Sequence, residues 1–237
     1  MPLDVLSSRI GGAAENMATD FLLLQRYPRP EYVRFRHYGW QRPAFTFGYS
    51  QKISFVRSQL PDEEGLELCR RPTGGGIVDH RDDWTYALII PRAHAAYDAR
   101  AIESYRLVHT CIVDALLAQG ERAQLNEKTE PSEEPVVGPG VCFDRAERYD
   151  VIHPDTGKKI AGAAQKRNKH GLLFQGSLSR ATVTENLDWE EFQVDLSQRL
   201  ASAFAVESSE AAWPDWENDE LSQLIDHYST PEWNEFR

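Results

Sequence analysis

Cysteine is scarce in this chain: three in 237 residues, at Cys69, Cys111 and Cys142. An odd number cannot pair off completely, and none stands in CxxC spacing. Neither a disulfide framework nor a zinc site is therefore expected, and no other metal site is expected either. Free thiols point to a reducing, cytoplasmic compartment. Long apolar runs are missing too. None approaches the roughly 20 residues that cross a bilayer. Met1-Pro2-Leu3-Asp4 opens without the basic patch and apolar stretch of a secretory signal. Neither a membrane partner nor export is expected. Basic residues are the minority, 26 Lys and Arg against 37 Asp and Glu, for a net charge of -11. A nucleic-acid binder needs the opposite balance to neutralise phosphates, so nucleic acid is not an expected partner.

What remains is a globular composition, 41% hydrophobic and 27% charged. A chain of this size buries roughly 70% of its surface without staples. No break in composition divides it, so a single domain over residues 1–237 is expected. Met17, Phe21 and Leu24 recur at helical spacing and predict a helix over 14–27. Residues 31–37 alternate as a strand, and short strands are expected at 46–49 and 66–69. The apolar run 84–90 predicts another strand. Ile102, Tyr105, Val108, Ile112 and Leu116 predict a helix ended by Gly120. Residues 126–140 are acidic and rich in Pro and Gly, a loop long enough to serve the site. Strands are predicted at 149–152, 159–167 and 172–178, and helices at 189–204 and 221–228. Strands cluster between helices without regular βα alternation, which makes the fold class α+β, with mixed or antiparallel sheets flanked by helices.

Three segments carry chemistry. In Arg70-Arg71-Pro72-Thr73-Gly74-Gly75-Gly76-Ile77-Val78-Asp79-His80, the glycines let backbone approach a ligand and aim several amides at one point. Two neighbouring guanidiniums suit an anion. Neither GxxxxGK[ST] nor GxGxxG is present, so this is no P-loop and no dinucleotide fingerprint. By composition alone the tract reads equally as a glycine-rich hairpin with solvated arginines. In Gly157-Lys158-Lys159-Ile160-Ala161-Gly162-Ala163-Ala164-Gln165, small residues leave space against a sheet, where a lysine pointing inward could act as a base. By itself a lone lysine is more often a surface charge. In Gly140-Val141-Cys142-Phe143, a cysteine closes the long loop. It reads either as a nucleophile or as a small hydrophobe tucking the loop down. Cys111 lies on the apolar helical stripe and reads as core. Cys69 is ambiguous.

Together these segments resemble the lipoate–protein ligase and octanoyltransferase superfamily, relatives of the biotin–protein ligases. The resemblance rests on Arg70-Arg71-x-Thr73-Gly74-Gly75-Gly76-x-Val78-x-His80 followed by Trp84-Thr85-Tyr86. Cys142-Phe143, Tyr149-Asp150, the tract from Gly157 to Gln165 with Arg167, and Leu172-Leu173-x-x-Gly176-Ser177 continue it. Asn16-Met17-Ala18-x-Asp20 and Thr46-x-Gly48-x-x-Gln51 fit as well, with a weaker echo in Tyr228-x-x-x-x-Trp233. The likeness runs over about residues 14–180; C-terminal helices within 188–237 and no accessory domain are expected.

The resemblance implies a mixed sheet with packed helices, an acyl tunnel, and attachment of an octanoyl or lipoyl group to one lysine of a lipoyl carrier domain. In the cysteine-dependent transferase branch, Cys142 is the nucleophile and Lys159 its partner. Acyl carrier protein is then the donor and no cofactor is needed. Arg70, Arg71, Thr73, Gly74, Gly75, Gly76, His80, Gly162, Ala163, Ala164 and Gln165 form the substrate-binding set, with a structural hydrogen bond as the expected role of His80. The loop over 126–140 is expected to order over the site when ligand or partner arrives. The alternatives are an ATP- and Mg-dependent lipoate ligase working through lipoyl-AMP, and a non-catalytic acyl-binding module. One departure is clear: relatives often carry histidine before the Gly-Ser of the Leu-Leu-x-x-Gly-Ser segment, where this chain has Phe174-Gln175.

Overall fold

The computed structural model describes residues 2–128, 146–217 and 219–237. Cys142, Phe143 and the loop over 129–140 lie outside them. The strands, in chain order, are β1 Leu3–Gly11, β2 Val33–Trp40, β3 Ala44–Phe47, β4 Glu67–Arg70, β5 Ile77–Asp79, β6 Asp83–Pro91, β7 Gln124–Leu125, β8 Val151–Ile152, β9 Lys159–Asn168, β10 Gly171–Ser179 and β11 Ser208–Ala211. The α-helices are α1 Ala13–Gln25, α2 Ile53–Gln59, α3 Ala101–Ala118, α4 Trp189–Ala203, α5 Glu220–Ser229 and α6 Pro231–Asn234.

Alternation along β6 sets the architecture. Trp84, Tyr86, Leu88 and Ile90 join a core with Val108, Ile112 and Leu116 of α3 and Phe192, Leu196 and Leu200 of α4. Ala87 and Ile89 point the other way, onto Leu23, Leu24 and Tyr27 at the α1 end of the chain. Successive strand residues face opposite sides, so one strand serves two layers. The large sheet has the order β11-β1-β2-β6-β10-β9-β8-β7. β1 runs parallel to both β11 and β2, and the pairings from β2 through β7 are antiparallel. A second sheet, β4-β3-β5, stands apart from it. Helix α1 packs against both, its Met17 and Ala18 meeting Ala44, Cys69 and Tyr228.

Local chemistry explains the boundaries. Asp188 caps α4 by accepting from the amides of Glu190 and Glu191. Helix α3 stops where expected: Gly120 takes φ +82, which allows Gly120 N–H to reach Leu117 O and Glu121 N–H to reach Leu116 O. The strand predicted from 149 is shorter than expected, because Tyr149 has φ +67 and β8 begins only at Val151. β8 pairs with β9 no further than Ala161, so from Gly162 onward no described strand flanks that edge.

Candidate active site

Register across the large sheet builds the floor of the site. Gly162 of β9, Ser177 of β10, Thr85 of β6 and Tyr38 of β2 form one row. Ala164, Gln175, Ala87 and Arg36 form a neighbouring row. Four adjacent strands span about 14 Å at roughly 4.8 Å per step. A cavity follows these rows. Its lining takes in Gly162, Ala164, Gln175, Ser177, Thr85 and Tyr38 from the floor. Thr46, Arg71, Gly75, Val78 and His80 face it from the second sheet and the loops beside it, and Met17 faces it from α1. Lys159 borders it at the β9 end.

Lys159 Nζ stands 2.7 Å from Asp150 Oδ2, with the two side chains only 4% and 8% exposed. Asp150 Oδ2 also accepts from the amide of Glu147 at 2.7 Å. Gly162 makes this placement possible. A Cβ there would lie 2.4 Å from Lys159 Cε and 2.6 Å from Nζ. The small residues of β9 thus leave the space that the lysine fills.

The glycine motif folds into a loop whose carbonyls are all engaged. Thr73 O accepts from Tyr49 N–H at 2.8 Å and Gly76 O from Gly48 N–H at 3.2 Å. Gly74 O and Gly76 O accept from Arg71 at 2.9 and 3.0 Å, and Gly75 O from Gln51 at 2.9 Å. Among the described residues, the amides of Gly74, Gly75 and Gly76 donate to nothing. The loop presents donors in need of an acceptor. Gly75 sits at φ +89, and a Cβ on Gly48 would lie 2.1 Å from Gly75 O, so this packing requires glycine at both positions.

The two arginines of the motif part company. Arg71 lines the cavity and also donates to Thr46 Oγ1 at 2.8 Å. Arg70 lies outside it. Its guanidinium donates to the carbonyls of Tyr49, Gln51, Trp233 and Asn234 at 2.7, 2.8, 3.1 and 2.8 Å. Neighbouring residues at a strand end point to opposite sides, which sends Arg70 to the C-terminal segment instead of to a ligand. Asn234 and Trp233 return the contact by bonding the Arg70 amide and carbonyl.

Two polar networks wall the cavity. In one, Gln175 Oε1 accepts from Thr73 Oγ1 at 2.8 Å while Nε2 donates to Asp20 Oδ2 at 2.7 Å. Asp20 is buried, takes Arg36 Nε at 2.7 Å and Tyr38 O–H at 3.2 Å, and has its pKa raised by burial against the pull of Arg36. Thr73 thus reaches the site through Gln175. In the other network, Asp83 Oδ2 meets His80 Nδ1 at 2.6 Å and accepts from Thr85 Oγ1 at 2.8 Å and from Ser177. His80 Nε2 contacts Thr46 Oγ1 at 2.7 Å, and Trp40 stacks on the ring at 4.0 Å. The Asp83 carboxylate only accepts, so His80 Nδ1 carries the proton that faces it, and in the neutral ring Nε2 accepts from the Thr46 hydroxyl.

Of the substrate-binding set, Arg71, Gly75, His80, Gly162, Ala163 and Ala164 line the cavity together with Lys159. Gly74 and Gly76 belong to the loop beside it. Gln165 does not join them: it is paired with Phe174, whose ring packs into the α3 side, and its Oε1 accepts from Ser104 of α3. Cys69 and Cys111 are buried, and burial pushes each thiol up to about 12. Sequence reasoning gave no role to Met17, Asp20, Tyr38, Trp40, Thr46, Thr85, Asp150 or Ser177. Several stood in motif stretches already noted, among them Asn16-Met17-Ala18-x-Asp20 and Tyr149-Asp150.

A cavity crossing four strands, bordered by the glycine loop and by a buried lysine, is the candidate site. The sequence matches the lipoyl protein ligase A/B catalytic domain over residues 12–192, and the chain belongs to that family. Among curated proteins it is 34% identical over 172 residues to Octanoyltransferase LipM of Halalkalibacterium halodurans, covering 70% of this chain and 61% of that protein. It is 36% identical to Octanoyltransferase LipM of Geobacillus kaustophilus, covering 70% and 60%. The match thus spans about three-fifths of the length of these relatives. Among solved structures, protein Ta0514 of T. acidophilum with bound lipoic acid superposes with a TM-score of 0.77 at 19% identity, covering 100% of both chains. A lipoate-protein ligase A bound with ATP superposes at 0.74 and 19% identity, covering 99% of this chain and 98% of that one. These two likenesses carry the fold.

Proposed function

We propose that the protein is an acyltransferase that moves an octanoyl or lipoyl group onto a lysine of a lipoyl carrier domain through a thioester on Cys142. The observation that carries this reading is Lys159, held by Asp150 at the end of a cavity that crosses four strands. The name octanoyltransferase on relatives at 34–36% identity supports the chemistry. The lipoic acid held by Ta0514 supports the ligand class. A bi-partite lipoate protein ligase of Thermoplasma acidophilum, described with its E2 lipoyl domain, supports the class of acceptor.

The chemistry runs in two halves. The Cys142 thiolate attacks the carbonyl carbon of the donor thioester, on an acyl carrier protein. The new C–S bond forms, the donor C–S bond breaks, and the carrier leaves as a thiol after taking a proton. The neutral amine of the acceptor lysine then attacks the Cys142 thioester. A C–N bond forms, the C–S bond breaks, and the proton lost by the amine returns to the cysteine sulfur. Lys159 relays the proton in both halves, and its positive charge favours the thiolate, since ordinary thiols titrate only at about 8.5. The unspent amides of Gly74–Gly76 suit the oxyanion of each tetrahedral intermediate. Exchange between thioesters is nearly energy-neutral, so the proposed reaction needs no ATP, metal or other cofactor. The ligase alternative draws on Arg70 and Arg71, the glycine loop and Lys159 as the adenylate-binding lysine. The engagement of Arg70 with four carbonyls supports the transferase reading over it.

The test is intact-mass spectrometry after incubation with octanoyl-carrier protein, against a parallel sample given lipoate and ATP. An octanoyl adduct that is lost in Cys142→Ala and discharged by a lipoyl domain is the expected result. Full transfer by Cys142→Ala, or lipoate-dependent ATP–pyrophosphate exchange without any adduct, overturns the reading. Tight acyl binding with no turnover would leave a binding module in its place.

A further inference from the structure

We infer that His109 is a positioning residue for the reacting lysine: its ring N–H holds the Tyr149 carbonyl and, through that backbone, sets the Asp150 carboxylate that grips Lys159. The inference rests on the proposed role of Lys159 in acyl transfer.

His109 lies on α3, fully buried against the sheet. Its Nδ1 is 2.6 Å from Tyr149 O. A carbonyl only accepts, so Nδ1 carries the proton and Nε2 is left as a bare lone pair. That Nε2 is buried with no hydrogen-bond partner among the described residues. Burial also lowers the pKa of the ring, which keeps it neutral. For packing alone, a phenyl ring would fill the place without leaving a buried nitrogen unpaired. What imidazole adds is the bond to Tyr149.

Tyr149 needs that bond. Its φ of +67 lies in the left-handed region that a bulky residue seldom occupies. The neighbouring backbone is fixed as well. Tyr149 N–H donates to Asn126 O at 2.7 Å, Asp150 N–H to Glu147 O at 3.0 Å, and Asn126 N–H to Asp150 O at 2.8 Å. Asn126 Nδ2 donates to Ala146 O and Glu147 O at 3.2 and 3.1 Å. The residue after Tyr149 is Asp150, whose Oδ2 meets Lys159 Nζ at 2.7 Å. A helix on the far face of the sheet thus reaches the lysine through a single peptide unit.

Steady-state transfer from octanoyl-carrier protein to a lipoyl domain tests this in the full-length chain. His109→Phe keeps the shape and loses the donor. It is expected to lower kcat at least about tenfold with the donor KM within about twofold. His109→Asn places an amide N–H where Nδ1 stood and is expected to hold kcat within about threefold. Once Lys159→Ala has been introduced, adding His109→Phe should cost nothing more. If His109→Phe does not fold, His109→Asn decides: retained kcat supports the inference and lost kcat overturns it. Equal losses in both variants, failure of both to fold, or full activity of His109→Phe beside an inactive Lys159→Ala overturns the inference alone. Full transfer by Lys159→Ala overturns the reading of the site and the inference with it.

Discussion

Lys159 lies across Gly162, three residues along its own strand, so closely that the missing Cβ of the glycine would stand 2.4 Å from the lysine Cε. The ammonium reaches Asp150 only because that space is empty. Lysine, glycine and aspartate therefore act as one fitted unit. The first prediction follows from it.

Gly162→Ala displaces the far end of a flexible side chain and leaves the backbone where it is. Displacing the ammonium leaves the buried Asp150 carboxylate short of a partner, so stability should fall by about 1–3 kcal/mol. Acyl transfer should fall at least about tenfold, equivalent to roughly 1.4 kcal/mol of transition-state stabilisation. Thermal unfolding and transfer kinetics on the same sample separate the two effects. An unchanged rate would mean that the position of Lys159 against Asp150 is irrelevant to turnover.

Arg70→Ala removes the donor from four backbone carbonyls. Buried acceptors left without partners cost about 1–3 kcal/mol each where water cannot reach them. Denaturant unfolding should show a loss of at least about 3 kcal/mol, with faster proteolysis near residues 233–237. If Arg70→Ala is as stable as the parent and loses only acyl binding, Arg70 belongs to the ligand site after all.

Cys69 and Cys111 carry thiols pushed up to about 12 by burial. At pH 8 both should resist a maleimide reagent for as long as the chain stays folded. Peptide mapping after native labelling should find them unmodified, and labelling in denaturant should find both modified. Native modification of either would show that its helix or strand opens readily.

His109 and His37 both have their pKa lowered, chiefly by burial. In the unfolded chain each takes a proton below about pH 6.5. The folded state binds fewer, so stability falls as pH drops from 6.5 toward the folded-state values, by at most about 1.4 kcal/mol per pH unit for each ring. Asp20, with its pKa raised by burial, works in the opposite sense over the range above its ordinary carboxylate value. Comparing the parent with His109→Asn cancels both His37 and Asp20. Melting temperature against pH should fall less steeply in His109→Asn between pH 6.5 and 5. Parallel curves would place the acid sensitivity elsewhere.

The helices α1, α3 and α4 were legible because their apolar residues repeat at helical spacing, and β6 and β10 because long apolar stretches could only be buried strands. β1 was not. Its sequence Leu-Asp-Val-Leu-Ser-Ser-Arg-Ile-Gly loses alternation where the register with β2 shifts between Leu6 and Arg9. β5 was hidden within the glycine motif. At the site, the glycine tract and Lys159 stood out as unusual local sequence, whereas their partners did not. Asp20, Asp83 and Asp150 are ordinary carboxylates until the fold brings Gln175, Ser177 and Lys159 to them from more than ninety, or in one case nine, residues away. The fate of Arg70 shows the same limit. Two adjacent guanidiniums look alike in one dimension, and only strand geometry sends them to opposite sides.

The clasp between Arg70 and the C-terminal segment also ties together two regions far apart in the chain. Arg70 leads directly into the loop that roofs the ligand space, and its partners Trp233 and Asn234 sit within the final helix. Ile53 N–H adds a bond to Arg237 O. Fraying of the tail would therefore be transmitted to the roof as a loss of order, and a bulky fusion that pulled on those final residues would loosen one wall of the cavity.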